Sequence, residues 1–189
     1  MRPLNGKTVT FLVDDRQSNV SLMRSVSSMA ARTAVGCAIF DVDAFYASSS
    51  DQILSTLPTD AAKLTCVYVP EPGSDIETDL PWLFKTESNV FIIESLNTLY
   101  HLFSPSDVSS RSRKLAFFVV SLSHLAKTSG KAGLLVMYRR EKIARAAGGG
   151  SISELSDATV SVKVVGSELL MKCEHGAVWP EGRFSIRAP

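Results

Sequence analysis

No window of this chain approaches the ~20 consecutive apolar residues of a membrane-spanning helix, and no apolar stretch follows Arg2 and Lys7 to make a signal peptide. No membrane partner is expected. Cysteine is scarce: Cys37, Cys66 and Cys173 are an odd number and widely spaced, which argues against a disulfide framework. Cys37 and Cys66 sit in apolar runs, and the three read as buried thiols of a reducing compartment. Cys173 and His175 are metal-capable, yet no second pair exists, so zinc is not expected. An excess of one charge is lacking too. The 20 Lys and Arg face 19 acidic residues, leaving +1, so any nucleic-acid signal must be local. Internal repeats and low-complexity segments are absent. What remains is a cytoplasmic chain of 189 residues, 45% hydrophobic and 21% charged, read as a single domain over 1–189.

Strands alternate with helices along most of it. Thr8 to Val13, Val35 to Phe40, Leu64 to Val69, Asn89 to Ile93 and Gly133 to Tyr138 are short apolar runs, read as buried strands. Ser18 to Ala31 carries Val20, Met23, Val26 and Ala30 at helical spacing. Arg111 to Thr128 does so more strongly, with Leu115, Phe118, Val119, Leu122 and Leu125. Near-continuous apolar strands separated by helices imply an α/β fold: a parallel sheet flanked by helices. After the glycines at 148–150 the pattern changes. Thr159 to Val165 and Glu168 to Cys173 alternate around Gly166-Ser167, a hairpin signal, and Arg183 to Arg187 follows. These predict an antiparallel C-terminal extension on one edge of the sheet.

In such a sheet, ligands sit at the carboxyl ends of the strands. A phosphate-binding loop after the first strand needs glycines, a lysine for the β- and γ-phosphates and a hydroxyl for Mg²⁺. Here the loop reads Val13-Asp14-Asp15-Arg16-Gln17-Ser18-Asn19-Val20. It has no glycine, Asn19 stands in the lysine position and Val20 replaces the hydroxyl. Asp14 and Asp15 repel a triphosphate. No nucleotide or other cofactor is expected, and no catalytic residue.

Five segments in order resemble the RecA/RadA recombinases, most of all the archaeal RadA paralogues, across nearly the whole chain. Phe40-Asp41-Val42-Asp43-Ala44-Phe45 is similar to the family's acidic pair before a Gly and an aromatic. Val90-Phe91-Ile92-Ile93-Glu94-Ser95-Leu96 is similar to its second nucleotide motif, with Glu for Asp. Arg111 to Leu125 resembles the following helix, Ser156 to Val160 the Asp-led strand, and Glu174 to Ile186 the C-terminal strands. The resemblance implies a RecA-like core, with Asp41, Asp43 and Glu94 as relics of an erased ATP site or, for the aspartates, as helix caps. It also implies that the chain lacks the family's helical DNA-binding domain and polymerising segment, so it forms no filament alone.

Two basic stretches remain as candidate DNA contacts. Tyr138, Arg139, Arg140, Lys142 and Arg145 follow the fifth strand, where the family has a mobile DNA loop. Arg111 and Arg113, with Ser109, Ser110 and Lys114, match its first DNA loop. Cations there neutralise phosphates and Tyr138 offers a stacking face; the plainer reading is a solvated surface of mixed charge. The expectation is a non-catalytic recombinase paralogue, a pseudo-ATPase accessory in homologous recombination and DNA repair. Its partners would be DNA, single-stranded before duplex, a RecA-like recombinase or paralogue, or a second copy of itself. The alternatives are a RecA- or KaiC-like ATPase with a rebuilt site and a purely structural subunit of a RecA-like complex.

Overall fold

A computed structural model of the chain describes residues 4–54, 64–71, 75–85, 87–103, 107–139, 155–176 and 182–185. Its centre is β1 (Thr8–Val13), whose apolar, β-branched residues are buried on both faces. β1 runs parallel to β5 (Ala132–Tyr138) on one side and to β6 (Ala158–Val165) on the other. With β2 (Cys37–Phe40), β3 (Thr65–Tyr68), β4 (Val90–Ile93), β7 (Glu168–His175) and β8 (Gly182–Ser185), it builds one sheet in the order β3-β2-β4-β5-β1-β6-β7-β8. β1 to β6 are parallel; β7 and β8 are antiparallel. The chain is therefore an α/β protein with a parallel sheet flanked by helices and an antiparallel C-terminal extension.

Because side chains alternate along a strand, each buried strand feeds two cores. Val9, Phe11 and Val13 of β1 and Val90 and Ile92 of β4 point to one face, and there meet Leu22, Met23, Val26 and Ala30 of α1 (Arg16–Thr33). The same face is closed by Phe45 and Tyr46 of α2 (Phe45–Ser48) and Ile53 of α3 (Ser50–Leu54). Phe40, Phe91, Ile93, Leu135 and Met137 point the other way. They are covered by α4 (Ile76–Asp79), α5 (Pro81–Lys85), α6 (Leu96–Leu102) and the long α7 (Val108–Ser129). On α7 the buried residues Leu115, Phe118, Val119, Leu122 and Ala126 fall at helical spacing. Each large one contributes about 1.5–3 kcal/mol by leaving water.

Two glycines have stated tasks. Gly133 leaves room for the Phe91 ring against β5: a Cβ there would meet the ring at 2.7 Å. Gly166 has φ +62 in the β6–β7 turn, where the Gly166-Ser167 signal predicted a hairpin.

Three expectations are corrected. β3 is an edge strand, not a buried one; its burial is only partial, and Cys66 on it is exposed. An apolar run alone does not distinguish an edge from a centre. Cys173 is half-buried and its thiol donates to the Gly176 carbonyl at 2.7 Å; among the three thiols only Cys37 is buried. The hairpin pattern places β6 in the antiparallel extension, yet it pairs parallel to β1 and only its other edge is antiparallel, to β7. Its alternation reflects one face on α1 and the other more open. No described helix is long and apolar enough to cross a membrane.

Candidate functional site

The loops after β1, β2 and β4 and the last residue of β5 converge at the carboxyl edge on a cleft of about 530 Å³. Asp14, Asp15, Arg16, Asp43, Phe45, Ser95, Asn97, Thr98, His101 and Tyr138 line it. Each is set by a local rule. Asp15 caps α1: its Oδ1 accepts from the Ser18 amide at 2.7 Å, and the Ser18 bonds hold its carboxyl below the usual range. A carboxylate of the chain thus occupies a helix amide that would otherwise face an incoming anion. Ser95 caps α6, accepting from the Thr98 amide at 3.1 Å.

Asn19, on the first turns of α1, is wholly buried. Its Nδ2 donates to Glu94 Oε1 at 2.7 Å and to Tyr138 Oη at 2.8 Å. The side chain in the lysine position therefore reaches inward and joins α1 to the ends of β4 and β5. Burial, with Asp43 beside it, pushes the Glu94 carboxyl up to about 10, so it is neutral near pH 7. Burial likewise pushes the Tyr138 phenol up to about 12. Asn19 Oδ1 and Glu94 Oε2 are buried without a hydrogen-bond partner.

Asp41 and Asp43 do act as caps. Asp41 is wholly buried, and its two oxygens accept from the Tyr46 and Ala47 amides at 3.0 and 2.8 Å; burial raises its pKa. Asp43 accepts from the Phe45 amide at 3.2 Å and from the Thr98 hydroxyl at 3.2 Å. Asp41, Asp43 and Glu94 bring carboxyl oxygens within 4.8 Å of one another. Together the three could hold a metal ion, while the oxygens of Asp41 also accept from the first amides of α2. Between Asp43 and Phe45, Ala44 takes a left-handed conformation, φ 56.

The predicted DNA contacts divide into three groups. Arg111 is half-buried in the first turns of α7, its guanidinium 5.3 Å above the Tyr100 ring. Arg113 is exposed and donates to Ser109 Oγ at 3.2 Å. At this helix start the Ser110 amide is taken by the Asp107 carboxylate at 3.0 Å. Tyr138 faces the cleft with its hydroxyl bound to Asn19, and Arg139 is paired with Glu174 on β7. Arg140, Lys142 and Arg145 lie outside the described residues. The two basic stretches share α6 as a neighbour: Tyr100 lies under Arg111, and Asn97, one turn earlier, accepts from the Tyr138 amide at 2.7 Å.

Sequence reading missed Arg16, Asn97, Thr98 and His101 as cleft residues. Two signals pointed there: Asp15 three residues before Ser18 and Ser95 three before Thr98, both N-cap spacings. No protein-family model matches the chain, and no curated protein matches its sequence.

Proposed function

We propose that the chain is a non-catalytic accessory protein of RecA-like recombination, binding DNA or assisting an active recombinase without hydrolysing ATP. The observation that carries this reading is the inward turn of the phosphate loop's own side chains. Asp15 answers the helix start and Asn19 is spent on Glu94 and Tyr138. No lysine or glycine is left for phosphates. The α/β architecture with its antiparallel extension agrees with the resemblance, and Arg111, Arg113 and Arg139 all lie on elements bordering α6 or β5. The charge offered to DNA is smaller than counted from sequence, since Arg139 has an acidic partner.

The test is a gel-shift titration with single-stranded and duplex DNA at low salt, alone and with an active recombinase. Binding should weaken with salt by about 0.7 log units per phosphate contact for each log unit of salt on single strands. Arg139→Glu with Arg140→Glu should abolish it and leave the melting curve unchanged. No shift at about 50 mM salt with either DNA form, and no effect on recombinase loading, would sink the reading.

A structural-subunit reading has one observation of its own. Phe117 is 75% exposed on α7, one turn from Val120 at 47%, and exposed apolar groups gathered on one face mark interaction surfaces. A second copy or a RecA-like partner would cover them. Light scattering at high concentration, together with a pull-down, separates this from the first reading: a strict monomer and an empty pull-down count against the subunit role.

A further inference from the structure

We propose that the chain forms a homodimer through α7, the helices of two copies packing antiparallel across a two-fold axis beside Val120 and Ser121. This rests on the structural-subunit reading and commits it to one partner, a second copy. Phe117, Val120, Ser121, His124 and Thr128 recur at three- and four-residue steps, so they fall on one stripe of α7. Phe117, Val120, His124 and Thr128 are exposed and Ser121 is half-buried. Lys, Arg, Asp and Glu are absent from the stripe. Its hydroxyls are satisfied within the helix: Ser121 Oγ donates to the Phe117 carbonyl at 2.9 Å and Thr128 Oγ to the His124 carbonyl at 2.9 Å. Burying them therefore strands no donor.

The stripe holds a knob and a recess that match. Phe117 is the most exposed large apolar side chain among the described residues. Further along the helix, Val120, Ser121, His124, Leu125 and Thr128 line a recess of about 560 Å³. Phe117 precedes Val120 by three residues and His124 follows Ser121 by three. An antiparallel copy turned about that midpoint sets each Phe117 ring over the other's recess, and both contacts form at once, as a two-fold interface requires. A parallel copy would set Phe117 against Phe117 and leave both recesses empty. Ser121, small and at the crossing, lets the axes approach to about 8–10 Å. Charge agrees with this register. Lys114 lies opposite the partner's Lys127, and each brings its own acid, Glu77 and Asp157. Arg113 lies opposite the last turn of the partner's α7, where free carbonyls favour a cation. From Arg113 to Thr128 the helix runs about 24 Å, and pairing along it buries on the order of 1,000 Å² in total, the lower bound for a specific interface. The dimer is therefore weak, with a Kd of about 10–100 µM.

Sedimentation equilibrium of the whole chain from about 1 µM to about 1 mM tests this. A monomer–dimer equilibrium is expected, and Phe117→Ser should weaken it by about tenfold or more. The melting curve at low concentration should not change, since that ring lies mostly outside the core. Cys66 is exposed, so a cross-linking arm uses a Cys66→Ser background. There Ser121→Cys, beside the axis, should give a disulfide-linked dimer on mild oxidation. Arg113→Cys, far from its own counterpart in an antiparallel pair, should not. A strict monomer at about 1 mM, a dimer indifferent to Phe117→Ser, no linkage through Ser121→Cys, or linkage through Arg113→Cys overturns the inference. A pull-down separates it from the reading beneath. A monomer whose capture of another protein is lost in Phe117→Ser keeps the subunit reading and overturns the second copy; a monomer with an empty pull-down overturns both.

Discussion

The side-chain amide of Asn19 lies 2.7 Å from Glu94 Oε1, joining the start of α1 to the end of β4 across 75 residues of sequence. Glu94 is protonated at neutral pH because it is buried beside Asp43. Its folded-state pKa lies above its unfolded one, so the folded chain holds a proton that the unfolded chain releases. This costs nothing below about pH 4.5 and lowers stability steadily as pH rises from about 4.5 to about 10. Glu94→Gln keeps the acceptor for Asn19 and removes the penalty. It should raise Tm at pH 8, by about 2–4 °C for each kcal/mol regained, and leave Tm unchanged near pH 4. Equal Tm at pH 8, or a gain that does not fade in acid, would count against a protonated Glu94. DNA binding should be unaltered.

Thiol reactivity should follow burial. Burial pushes the Cys37 thiol up to about 12, and Cys66 is exposed on the edge strand. Since the thiolate is the nucleophile, alkylation followed by peptide mapping should label Cys66 first and Cys37 only after unfolding. Early labelling of Cys37 would contradict its place under α1.

Backbone conformation gives an opposed pair of variants. Ala44 sits at φ 56, so Ala44→Gly should stabilise by about 1 kcal/mol by relieving the left-handed strain. Gly133→Ala drives a Cβ to 2.7 Å from the Phe91 ring and should destabilise by about 1–3 kcal/mol. Urea unfolding measures both; the same sign for the two would refute one assignment.

The fold was largely legible because its strongest signals are local. Thr8–Val13 was read to the residue, and Gly166-Ser167 marked the β6–β7 turn. What failed was context: Leu64 to Val69 has a core composition but runs along an edge, and β6 alternates although it pairs parallel to β1. α2 to α5 have only four or five residues each, too short to show a helical period. The site was half legible. Asn19 was visible as a missing lysine, but its bonds to Glu94 and Tyr138 span 75 and 119 residues, beyond any local pattern. Arg139's partner on β7 was hidden for the same reason.

A lysine placed at position 19 should not create a nucleotide site. Asn19→Lys sets an ammonium beside Glu94, which then ionises and pairs with it, while Asp15 still caps α1. The variant should therefore gain no affinity for Mg-ATP. Asn19→Ala, which leaves the Glu94 carboxyl and the Tyr138 hydroxyl without their donor, should destabilise by about 1–3 kcal/mol.

The most direct measurement is a calorimetric titration of the unaltered chain with Mg-ATP. With Asp15 at the helix start and Asn19 turned inward, the expected result is binding weaker than ~1 mM and no phosphate release. Micromolar binding, or hydrolysis that Glu94→Gln abolishes, would contradict it.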